Sequence, residues 1–525
     1  MASDTREGPR RIDMQTISGL LVESAVRNSP RLALVDDQRQ LTYAQWLVRA
    51  TRIANALRAA SIASGDRLAV MADDEVSAVE TYLGVWLAGA TLVHVSARLA
   101  APEVEYLLED AEVRGFMWTP RLAEVADAVA GVDDLAVGLA IDPTPGSPYD
   151  EMIKAASTRR PEGQPSPATA AIIGYTSGTS GRPKGAVVSH QGLALATMLN
   201  AYNIRVPRYS RMAFSASLSF CAAIWGQVLP HLHVGGTVRL LGHYDVDSWV
   251  DRIERDRSTW TYLPTPLIGD FTEAVAQRPG VLEHLVTAMH AGSLAPRAYV
   301  ARAVEVLGGR YLESYGMTEV MGCLSASDAT DYTAVDADDA VLASAGRVVP
   351  NASVWIVRAD GTAADVGEDG EIVAAVDPIF DGYWGDPVKT DSVYSDGVFR
   401  TGDAGHFDES SYLYVTARLV DMIVSGGMNV YPAEVERVLM MLPGVRHAAV
   451  FGVPHPKWVE GVAAAIVLAP GATLERDTVI EHCRRELASY KKPTQVEFIP
   501  EMPMVGNHKV DRRALRARFA DLLPQ

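Results

Sequence analysis

The sequence predicts an α/β protein built as a large N-terminal domain of helix-covered sheets and a small mobile α+β domain at the C-terminus. Over the first third, short apolar runs alternate with helical patterns, which is typical of parallel strands joined by helices. Beyond Asp421 the pattern changes, and short strands flank amphipathic helices. The chain of 525 residues also exceeds the ~250–300 residues at which a single core usually divides.

The elements of the first third follow from the apolar runs. Residues 68–72 (L-A-V-M-A) predict a buried strand, and apolar residues then recur at helical spacing over 75–87. The later predicted elements of this region are a strand at 91–95, a helix at 102–111, and strands at 115–118 and 170–173. Runs rich in proline and glycine at 142–148 and 160–167 predict an irregular connection.

The C-terminal region shows a different mixture of elements. Its predicted helices cover 433–442 and 478–489, and its predicted strands cover 447–453, 462–468 and 496–499. We place the N-terminal domain at 1–417, a hinge at about 418–421 and the C-terminal lid domain at 421–525.

Composition limits the classes of function. Apolar residues make up 48% of the chain and charged residues 21%, which favours a full globular core over disorder. A formal charge of −18 argues against a sequence-independent grip on nucleic acid or anionic lipid. The three cysteines are far apart and are expected to be buried. The apolar window 81–95 is too short to span a membrane, so we expect a soluble, cytoplasmic protein.

Residues 175–185 carry the first chemical signal, Y-T-S-G-T-S-G-R-P-K-G, directly after a predicted strand. Backbone N–H groups in a glycine-rich turn can converge on an anion, with hydroxyls and a lysine as further donors. The lysine precedes its glycine, which is the wrong order for a P-loop NTPase, and the spacing does not match a dinucleotide fold. The loop therefore predicts phosphate binding, and a plain surface turn is the less favoured alternative.

This loop resembles the phosphate-loop signature of the adenylate-forming superfamily, which includes acyl-CoA synthetases, luciferases and nonribosomal-peptide adenylation domains. The resemblance recurs in order along most of the chain. The matching segments are L-T-Y-A-Q-W at 41–46, L-A-G-A at 87–90, S-Y-G-M-T-E at 314–319, F-R-T-G-D at 399–403, S-G-G-M-N-V-Y-P-A-E-V-E at 425–436, S-Y-K-K-P at 489–493 and N-H-K-V-D-R at 507–512.

The resemblance implies an ATP- and Mg²⁺-dependent ligase that converts a carboxylic acid into an acyl adenylate, releases pyrophosphate and most readily transfers the acyl group to coenzyme A. Residues 92–108 are similar to stand-alone CoA ligases, and no carrier-protein domain follows the last motif. Its expected partner is a small-molecule acid, and a carrier protein is not indicated.

The resemblance also implies roles for individual residues. Lys184 and the loop would hold the β- and γ-phosphates, Thr318 would donate to the α-phosphate, and Glu319 would bind Mg²⁺. The loop residues concerned are Thr176, Ser177, Gly178, Thr179, Ser180 and Gly181. Lys509 would bridge the carboxylate and the α-phosphate. A helix-capping pair at Thr318 and Glu319, and a solvated surface lysine at 509, are the alternatives.

The nucleotide's other groups have their own candidate residues. Asp403 would accept from the ribose hydroxyls, with a turn-forming role as its alternative, and Arg418 would join the ribose or phosphate contacts. The adenine slot would be formed by Gly292, Ser293, Glu313, Ser314, Tyr315 and Gly316. Tyr315 would stack on adenine, although a plain core position is also open. Gly426 and Gly427 would let a pantetheine arm pass close to the backbone.

The acid pocket is expected to be apolar, with an aryl acid preferred. Its candidate residues are Phe220, Cys221, Trp225, Ala291 and Met321. Phe220 stands where a histidine is frequent in the resembled ligases. Plain core packing accounts for Phe220, Cys221 and Trp225 equally well.

There are two further departures from the family pattern, of which the one at the hinge bears on the second half-reaction. The hinge reads A-R-L-V-D at 417–421, with Val420 at a position that is usually polar, and His508 replaces the usual glycine before Lys509. The same adenylation chemistry with another acceptor or oxyacid therefore stays open: an amine, a carrier-protein thiol, or nitrite for diazotisation of an aryl amine. A non-catalytic nucleotide-binding regulator is a third hypothesis, which the presence of the whole motif set disfavours.

Overall fold

The structure is a computed structural model of the whole chain. Its described residues are 14–129, 131, 135–163, 165–176, 183–293, 295, 297–332, 340–425, 428–455, 459–505 and 509–520.

The helices alternate with strands through most of the described chain. They are α1 (Ile17–Arg27), α2 (Tyr43–Ala59), α3 (Val76–Ala88), α4 (Ala101–Asp110), α5 (Ala123–Asp127), α6 (Pro148–Ala155), α7 (His190–Asn203), α8 (Cys221–Ala223), α9 (Leu229–His233), α10 (Val246–Arg255), α11 (Ile268–Ala276), α12 (Arg297–Leu307), α13 (Pro387–Val393), α14 (Pro432–Leu439), α15 (Arg476–Glu486) and α16 (Arg512–Ala520).

The strands are mostly short. They are β1 (Leu32–Val35), β2 (Gln40–Thr42), β3 (Arg67–Met71), β4 (Thr91–Val95), β5 (Gly115–Trp118), β6 (Val137–Ala140), β7 (Ala170–Thr176), β8 (Lys184–Ser189), β9 (Arg211–Phe214), β10 (Thr237–Leu240), β11 (Trp260–Tyr262), β12 (Thr287–Ala291), β13 (Tyr311–Met317), β14 (Gly322–Ala326), β15 (Arg347–Val348), β16 (Ala352–Val357), β17 (Gly370–Val376), β18 (Gly382–Tyr383), β19 (Tyr394–Ser395), β20 (Val398–Phe407), β21 (Leu413–Arg418), β22 (Ile423–Ser425), β23 (Met428–Val430), β24 (Val445–His455), β25 (Val459–Leu468), β26 (Gln495–Phe498), β27 (Met504–Val505) and β28 (Lys509–Val510).

The chain divides into two compact units. Unit 1 comprises Met1–His290, Arg310–Leu324 and Val376–Tyr394. Unit 2 comprises Ala291–Gly309, Ser325–Ala375 and Ser395–Gln525. A large α/β body and a smaller C-terminal α+β fold are therefore present, as the sequence predicts.

Unit 1 contains a seven-stranded sheet in the order β18-β8-β7-β4-β3-β5-β6. Strands β7, β4, β3, β5 and β6 run parallel, and β8 returns antiparallel to β7. Helix α4 packs Val104 and Leu107 against Val93 and Phe116 of this sheet. The parallel, helix-covered sheet expected for the first third of the chain is confirmed.

A second sheet of unit 1 holds β2, β1, β10, β9, β11, β12 and β13 in that order. Strands β1, β10, β9, β11 and β12 are parallel. The Thr42-Tyr43 pair of the early motif has a structural role here. Thr42 and Gln45 form a capping box at the start of α2, and the buried Tyr43 hydroxyl donates to the carbonyl of Gly236 at 2.6 Å.

Unit 2 ends in a five-stranded sheet in which β23, β22, β25 and β24 are consecutive and β26 pairs with β25. Helices α14 and α15 cover one face through residues such as Val435 and Val479. On another core, Leu515 and Phe519 of α16 pack with Phe451 of β24. This is the compact α+β arrangement that the sequence predicts.

The predicted elements agree with the structure to within a few residues. Strands β4 and β5 have the predicted bounds, and α3 begins and ends one residue later than predicted. Helix α3 ends at Gly89, whose φ of 87° is the left-handed conformation that glycine accepts. All thirteen residues of α3 are buried, which explains why its sequence resembles a membrane segment.

The structure also bears on the predictions about the cysteines and about a membrane span. Cys221, Cys323 and Cys483 are free and buried, as expected. Among the described residues, no helix is both long and apolar enough to cross a membrane.

Candidate active site

The phosphate-loop candidate connects the two strands of a β-hairpin in unit 1. Strands β7 and β8 pair in register from Ala170 with Ser189 to Thr176 with Lys184, so these last two residues face each other where the loop leaves the sheet. The loop residues Ser177, Gly178, Thr179, Ser180 and Gly181 lie outside the described residues. The hairpin thus fixes the first and last residues of the motif.

The loop end of this hairpin is hydrogen-bonded to helix α4. The Tyr175 hydroxyl donates to Oδ2 of Asp110 at 2.5 Å, and Nε1 of Trp384 donates to the Asp110 carbonyl at 3.0 Å. A Cβ atom at Gly185 would come within 2.7 Å of Cγ2 of Ile173, so glycine is required there. The loop therefore starts from a rigid support.

Strand β13 carries the S-Y-G-M-T-E motif and ends in a short 3-10 turn, Thr318–Val320. A Cβ atom at Gly316 would lie 1.9 Å from the Gly322 carbonyl oxygen, because β13 and β14 approach closely here. Met321 closes the turn with a φ of 51°. The turn starts after Met317 and has no side-chain cap, so the alternative of a helix-capping pair at Thr318 and Glu319 is not what the structure contains.

The carboxylate of Glu319 and the ammonium of Lys184 both contact one aromatic residue, Tyr383, the first at its hydroxyl and the second at its ring. The Tyr383 hydroxyl donates to Oε1 of Glu319 at 2.7 Å. Nζ of Lys184 lies 5.6 Å from the centroid of the Tyr383 ring, which is within the range of a cation–π contact. Two predicted site residues, 135 positions apart in the sequence, are thus brought together.

Lys184 lies in a setting that favours an incoming anion. Burial lowers the pKa of Lys184 below its ordinary value, and the nearby charge of Lys389 lowers it further, while Asp386 and Glu319 oppose the shift. A bound phosphate would relieve the repulsion between the two ammonium groups. Lys184 and Lys389 together therefore suit phosphate binding.

Cys221 joins the apolar wall to the motif turn. The Thr318 side chain lies near its thiol, and burial raises the pKa of Cys221 to about 12, so the thiol stays protonated. A Cβ atom at Gly174, just before the phosphate loop, would lie 2.9 Å from the Cys221 sulfur and 3.1 Å from Cη2 of Trp225. The predicted wall residues Cys221 and Trp225 therefore pack directly on the strand that leads to the loop.

Helix α7 supports the predicted wall through hydrogen bonds from Asn200 to the backbone of two wall residues. Nδ2 of Asn200 donates to the carbonyl oxygens of Met321 at 2.8 Å and Trp225 at 3.3 Å. Trp225 belongs to a π-helical segment, Ile224–Val228, between α8 and α9, and such segments are frequent at functional sites. Cys221, Trp225 and Met321 are buried, and Phe220 is half-buried.

Four of the adenine-slot candidates lie on one strand, and the other two follow the end of another strand. Glu313, Ser314, Tyr315 and Gly316 belong to β13. The Glu313 carboxylate receives the Tyr311 hydroxyl at 2.5 Å and lies 2.8 Å from Nδ1 of the buried His290. Ala291 ends β12, and Gly292, with a φ of 91°, and Ser293 follow it.

The remaining candidates belong to unit 2. Asp403 is buried in the middle of β20, where it pairs in register with Arg418 of β21, and its Oδ1 lies 3.5 Å from Nε of the exposed Arg418. The turn-forming alternative for Asp403 therefore does not describe its place in the structure. Lys509 begins β28 and pairs with Val505. Gly426, Gly427 and His508 lie outside the described residues, and the side chains of Val420 and Lys509 are not described.

Three residues of the site were not predicted from the sequence, namely Tyr383, Asn200 and Asp110. Tyr383 lies in G-Y-W at 382–384, a short aromatic run without a chemical signature. Asn200 lies inside a regular helix and Asp110 at the end of another. Each acts through a contact that only the folded chain creates, so no local signal was available.

Family models match both parts of the chain. The model of the AMP-binding enzyme family matches residues 21–384, and the model of the AMP-binding enzyme C-terminal domain matches residues 434–509. The chain therefore belongs to the AMP-binding enzyme family, as the motif resemblance predicts.

Individual proteins agree with this assignment. The chain is 34% identical to a feruloyl-CoA synthase of an Amycolatopsis species, over 91% of this chain and 94% of that protein. It is 32% identical to a long-chain fatty acid–CoA ligase of Mycobacterium tuberculosis, over 97% and 99% of the two chains. The crystal structure of ATP-bound MatB from Rhodopseudomonas palustris superposes with a TM-score of 0.85 at 26% identity, over 96% of this chain and 100% of that chain.

These findings establish the class of enzyme. The protein is an ATP-dependent, adenylate-forming ligase of the acid–thiol class, acting on a small-molecule carboxylic acid, and its class uses ATP and coenzyme A. The predicted fold class and enzyme class are confirmed.

Proposed function

We propose that this enzyme activates an apolar, aryl-type carboxylic acid as its acyl adenylate and transfers the acyl group to coenzyme A. The observation that carries the proposal is the packing of Cys221 and Trp225 on Gly174, with the Thr318 side chain near the Cys221 thiol. An apolar wall thereby adjoins the residues proposed to hold the phosphates. Relatives named for feruloyl and long-chain fatty acyl substrates support an apolar acid.

The acid would bind against the face formed by Phe220, Cys221, Trp225 and Met321, with Ala291 as a further candidate. Each of these side chains is apolar or, in the case of Cys221, an uncharged thiol. Such a wall stabilises aryl or alkyl carbon by removing it from water. The aromatic rings of Phe220 and Trp225 favour an aryl group.

The first half-reaction is proposed to need fixed positive charge around the triphosphate. A carboxylate oxygen attacks the α-phosphorus of ATP, the bond from that phosphorus to the bridging oxygen breaks, and pyrophosphate leaves with the electron pair. Lys184, Thr176 and the loop hydroxyls would hold the departing phosphates, and Thr318 would donate to the α-phosphate. Lys509 would neutralise the attacking carboxylate and the α-phosphate together.

Glu319 fits a magnesium ion bound jointly with ATP. Its Oε1 already accepts the Tyr383 hydroxyl, which orients the carboxylate. Within the described part of the chain, no group of three or more histidine, cysteine or acidic side chains could hold a metal ion alone. Mg²⁺ is commonly bound through one or two carboxylates plus substrate phosphates. When bound, the ion would neutralise charge on the phosphate oxygens.

The nucleoside and the second half-reaction involve the other proposed residues. Asp403 and Arg418 would hold the ribose, and the adenine slot would consist of Gly292, Ser293 and the β13 motif residues. The proposed domain boundaries stay at 1–417 and 421–525, with the hinge at about 418–421. Gly426 and Gly427 would border the pantetheine arm.

The experiment is a pyrophosphate-release assay with a panel of aryl and aliphatic acids, each with and without coenzyme A, and with products identified by mass spectrometry. We expect an aryl acid to give pyrophosphate and a CoA thioester over many turnovers. Pyrophosphate without a thioester would move the proposal to another acceptor and point to Val420. Preference for a short, charged acid would overturn the apolar pocket.

A matched pair of variants tests the wall itself. Cys221→Ala enlarges the pocket beside Thr318, whereas Cys483→Ala removes an equally buried thiol in unit 2. We expect the first variant to accept bulkier aryl acids and the second to keep the wild-type order of acids. The same order of acids in both variants would contradict the proposed wall.

A further inference from the structure

The segment that leads into the proposed acid wall is a loop between β9 and α8, at residues 215–220. It ends at Phe220, immediately before Cys221. Leu218 and Ser219, in the middle of the loop, are buried. Residues 215–220 form no ladder with a neighbouring strand, so the shape of the loop depends on individual hydrogen bonds, both within the loop and from other elements of unit 1.

The backbone N–H of Leu218 is held by Asp74, which lies between β3 and α3. The Leu218 N–H donates to Oδ1 of Asp74 at 2.5 Å, and the Ser217 hydroxyl lies 3.4 Å from the same oxygen. A carboxyl oxygen can accept a backbone N–H in either protonation state, so the contact with Leu218 does not depend on the charge of Asp74. Asp74 is thus aimed at the loop from the carboxyl end of β3.

The backbone carbonyl of Leu218 is held by His94 on β4. Nε2 of His94 lies 2.6 Å from the Leu218 carbonyl oxygen. His94 is buried, and burial lowers its pKa to about 4, so the ring is neutral and carries its proton on Nε2 to donate to the carbonyl. Both backbone polar groups of one residue, Leu218, are therefore held by buried side chains, the N–H by Asp74 and the C=O by His94.

The ends of the loop are fixed independently. Tyr244 donates its hydroxyl to the Ser215 carbonyl at 2.5 Å, and the Arg98 guanidinium lies 4.9 Å from the centroid of the Phe220 ring. These contacts restrain the first and last residues.

Within the loop, the Phe220 N–H donates to the Ser217 carbonyl at 3.1 Å and the Ser219 N–H lies 3.2 Å from Oγ of Ser217. Asp74 and His94 supply the contacts that attach Leu218 to other elements.

We propose that Asp74 and His94 are positioning residues that set which acids this enzyme accepts, by clamping the backbone N–H and C=O of Leu218 and so fixing Phe220 and Cys221 in the acid wall. The inference rests on the proposed function for the identity of that wall. Neither residue is assigned a contact with ATP or with the acid. Their effect passes through the backbone of residues 218–221 to the face that touches the substrate.

Paired variants separate the clamp from simple loss of folding. Asp74→Asn keeps an oxygen that can accept the Leu218 N–H, whereas Asp74→Ala removes it. His94→Gln places an amide N–H where Nε2 donates, whereas His94→Leu keeps the bulk and loses the donor. Each variant is measured in the full-length enzyme for KM of the acid, KM of ATP, kcat, and deuterium exchange of peptides covering 215–221.

We expect Asp74→Ala and His94→Leu each to raise KM for the preferred acid by about tenfold, the effect of losing one buried hydrogen bond. KM for ATP should change less than about twofold, and exchange at 215–221 should rise, because the clamp does not touch the nucleotide. Asp74→Asn and His94→Gln should restore most of the acid affinity. The order of preference among aryl acids should change in the two disruptive variants.

The outcomes distinguish the inference from the function on which it rests. If no acid gives pyrophosphate with the wild-type enzyme, the proposed function fails. If the wild type is active but the disruptive variants raise KM for ATP and for the acid equally, the clamp is only structural and the inference is overturned. Unchanged exchange at 215–221 in a folded Asp74→Ala variant would overturn it as well.

Discussion

The Tyr383 hydroxyl lies 2.7 Å from Oε1 of Glu319, and it joins two segments that are 64 positions apart in the sequence. Burial and the charge of Glu319 raise the pKa of Tyr383 well above its ordinary value, so the hydroxyl stays protonated and donates to the carboxylate. Lys184 lies over the same ring. One tyrosine therefore orients the proposed magnesium ligand and supports the proposed phosphate-binding lysine.

Tyr383→Phe tests the hydroxyl alone, because phenylalanine keeps the ring beneath Lys184 and the edge contact with Phe380. We expect the variant to fold normally and to need about tenfold more Mg²⁺ for half-maximal pyrophosphate exchange, as one charge-assisted hydrogen bond to Glu319 is lost. The measurement is the Mg²⁺ dependence of the exchange rate at saturating ATP. Tyr394→Phe, in the same segment of unit 1, is the control and should match the wild type. Identical Mg²⁺ curves for all three proteins would contradict the proposed role.

A buried ion pair in unit 1 gives a prediction about stability. The Glu80 side chain is fully buried and accepts two hydrogen bonds from Arg49, at 2.6 and 2.8 Å. It also accepts one from Arg39 at 3.3 Å and one from the Tyr149 hydroxyl at 3.1 Å. Glu80→Ala would leave Arg49 without its buried partner. We expect a loss of about 3–5 kcal/mol in the free energy of unfolding, measured by urea denaturation of unit 1 through its tryptophan fluorescence.

The exposed pair of Arg67 with Glu112 is the matched control for this prediction. The Glu112 side chain is 77% exposed, so Glu112→Ala should change the free energy of unfolding by less than about 1 kcal/mol. Equal effects of the two substitutions would show that burial of the Glu80 pair does not determine its contribution.

Local patterns account for what could be predicted from the sequence. Strands β4 and β5 have their predicted bounds because a strand buried on both faces is a continuous apolar run between turns. The glycine-rich loop, Thr318 and Glu319 could be recognised because their chemistry lies in contiguous residues. The contacts of Tyr383 with Glu319 and of Asp74 with Leu218 span 64 and 144 positions. Nothing in a sequence window specifies them, since the packing of separate elements creates them.

The buried histidines of unit 1 predict a sensitivity to acid. Burial lowers the pKa of His94, His190 and His231 from 6.5 to about 4. Between pH 6.5 and 4 these three histidines are protonated in the unfolded chain and stay neutral in the folded protein. Their contribution to stability is therefore complete above pH 6.5 and is lost as the pH falls towards 4, by up to about 1.4 kcal/mol per pH unit for each histidine.

Asp74 acts in the opposite direction. Burial raises the pKa of its carboxyl from 3.8 to about 7, so the folded protein binds the extra proton and this contribution is lost as the pH rises from 3.8 through 7. With three histidines against one carboxyl, we expect these four groups together to make the protein less stable at pH 5 than at pH 7.

His190 offers the direct test, since neither of its ring nitrogens has a hydrogen-bond partner in the described structure. His190→Leu removes the titrating ring without breaking such a bond, and it should reduce the loss of stability between pH 6.5 and 4.5. The measurement is the free energy of urea unfolding at several pH values. A variant with the wild-type pH dependence would show that His190 does not titrate differently on folding.

The last prediction concerns Lys509, which begins β28 opposite Val505. Lys509→Ala should abolish formation of the acyl adenylate, lowering pyrophosphate release by at least about a thousandfold, because the repulsion between carboxylate and α-phosphate would no longer be neutralised. The same variant, given a synthetic acyl adenylate and coenzyme A, should still form the thioester, since that step needs no cation between two anions. Lys154→Ala removes a surface lysine that pairs with Asp150 and should leave both steps unchanged. Full pyrophosphate release by Lys509→Ala would refute the assigned role. Loss of both half-reactions in a folded variant would instead assign Lys509 to a step common to the two, such as holding the adenylate itself.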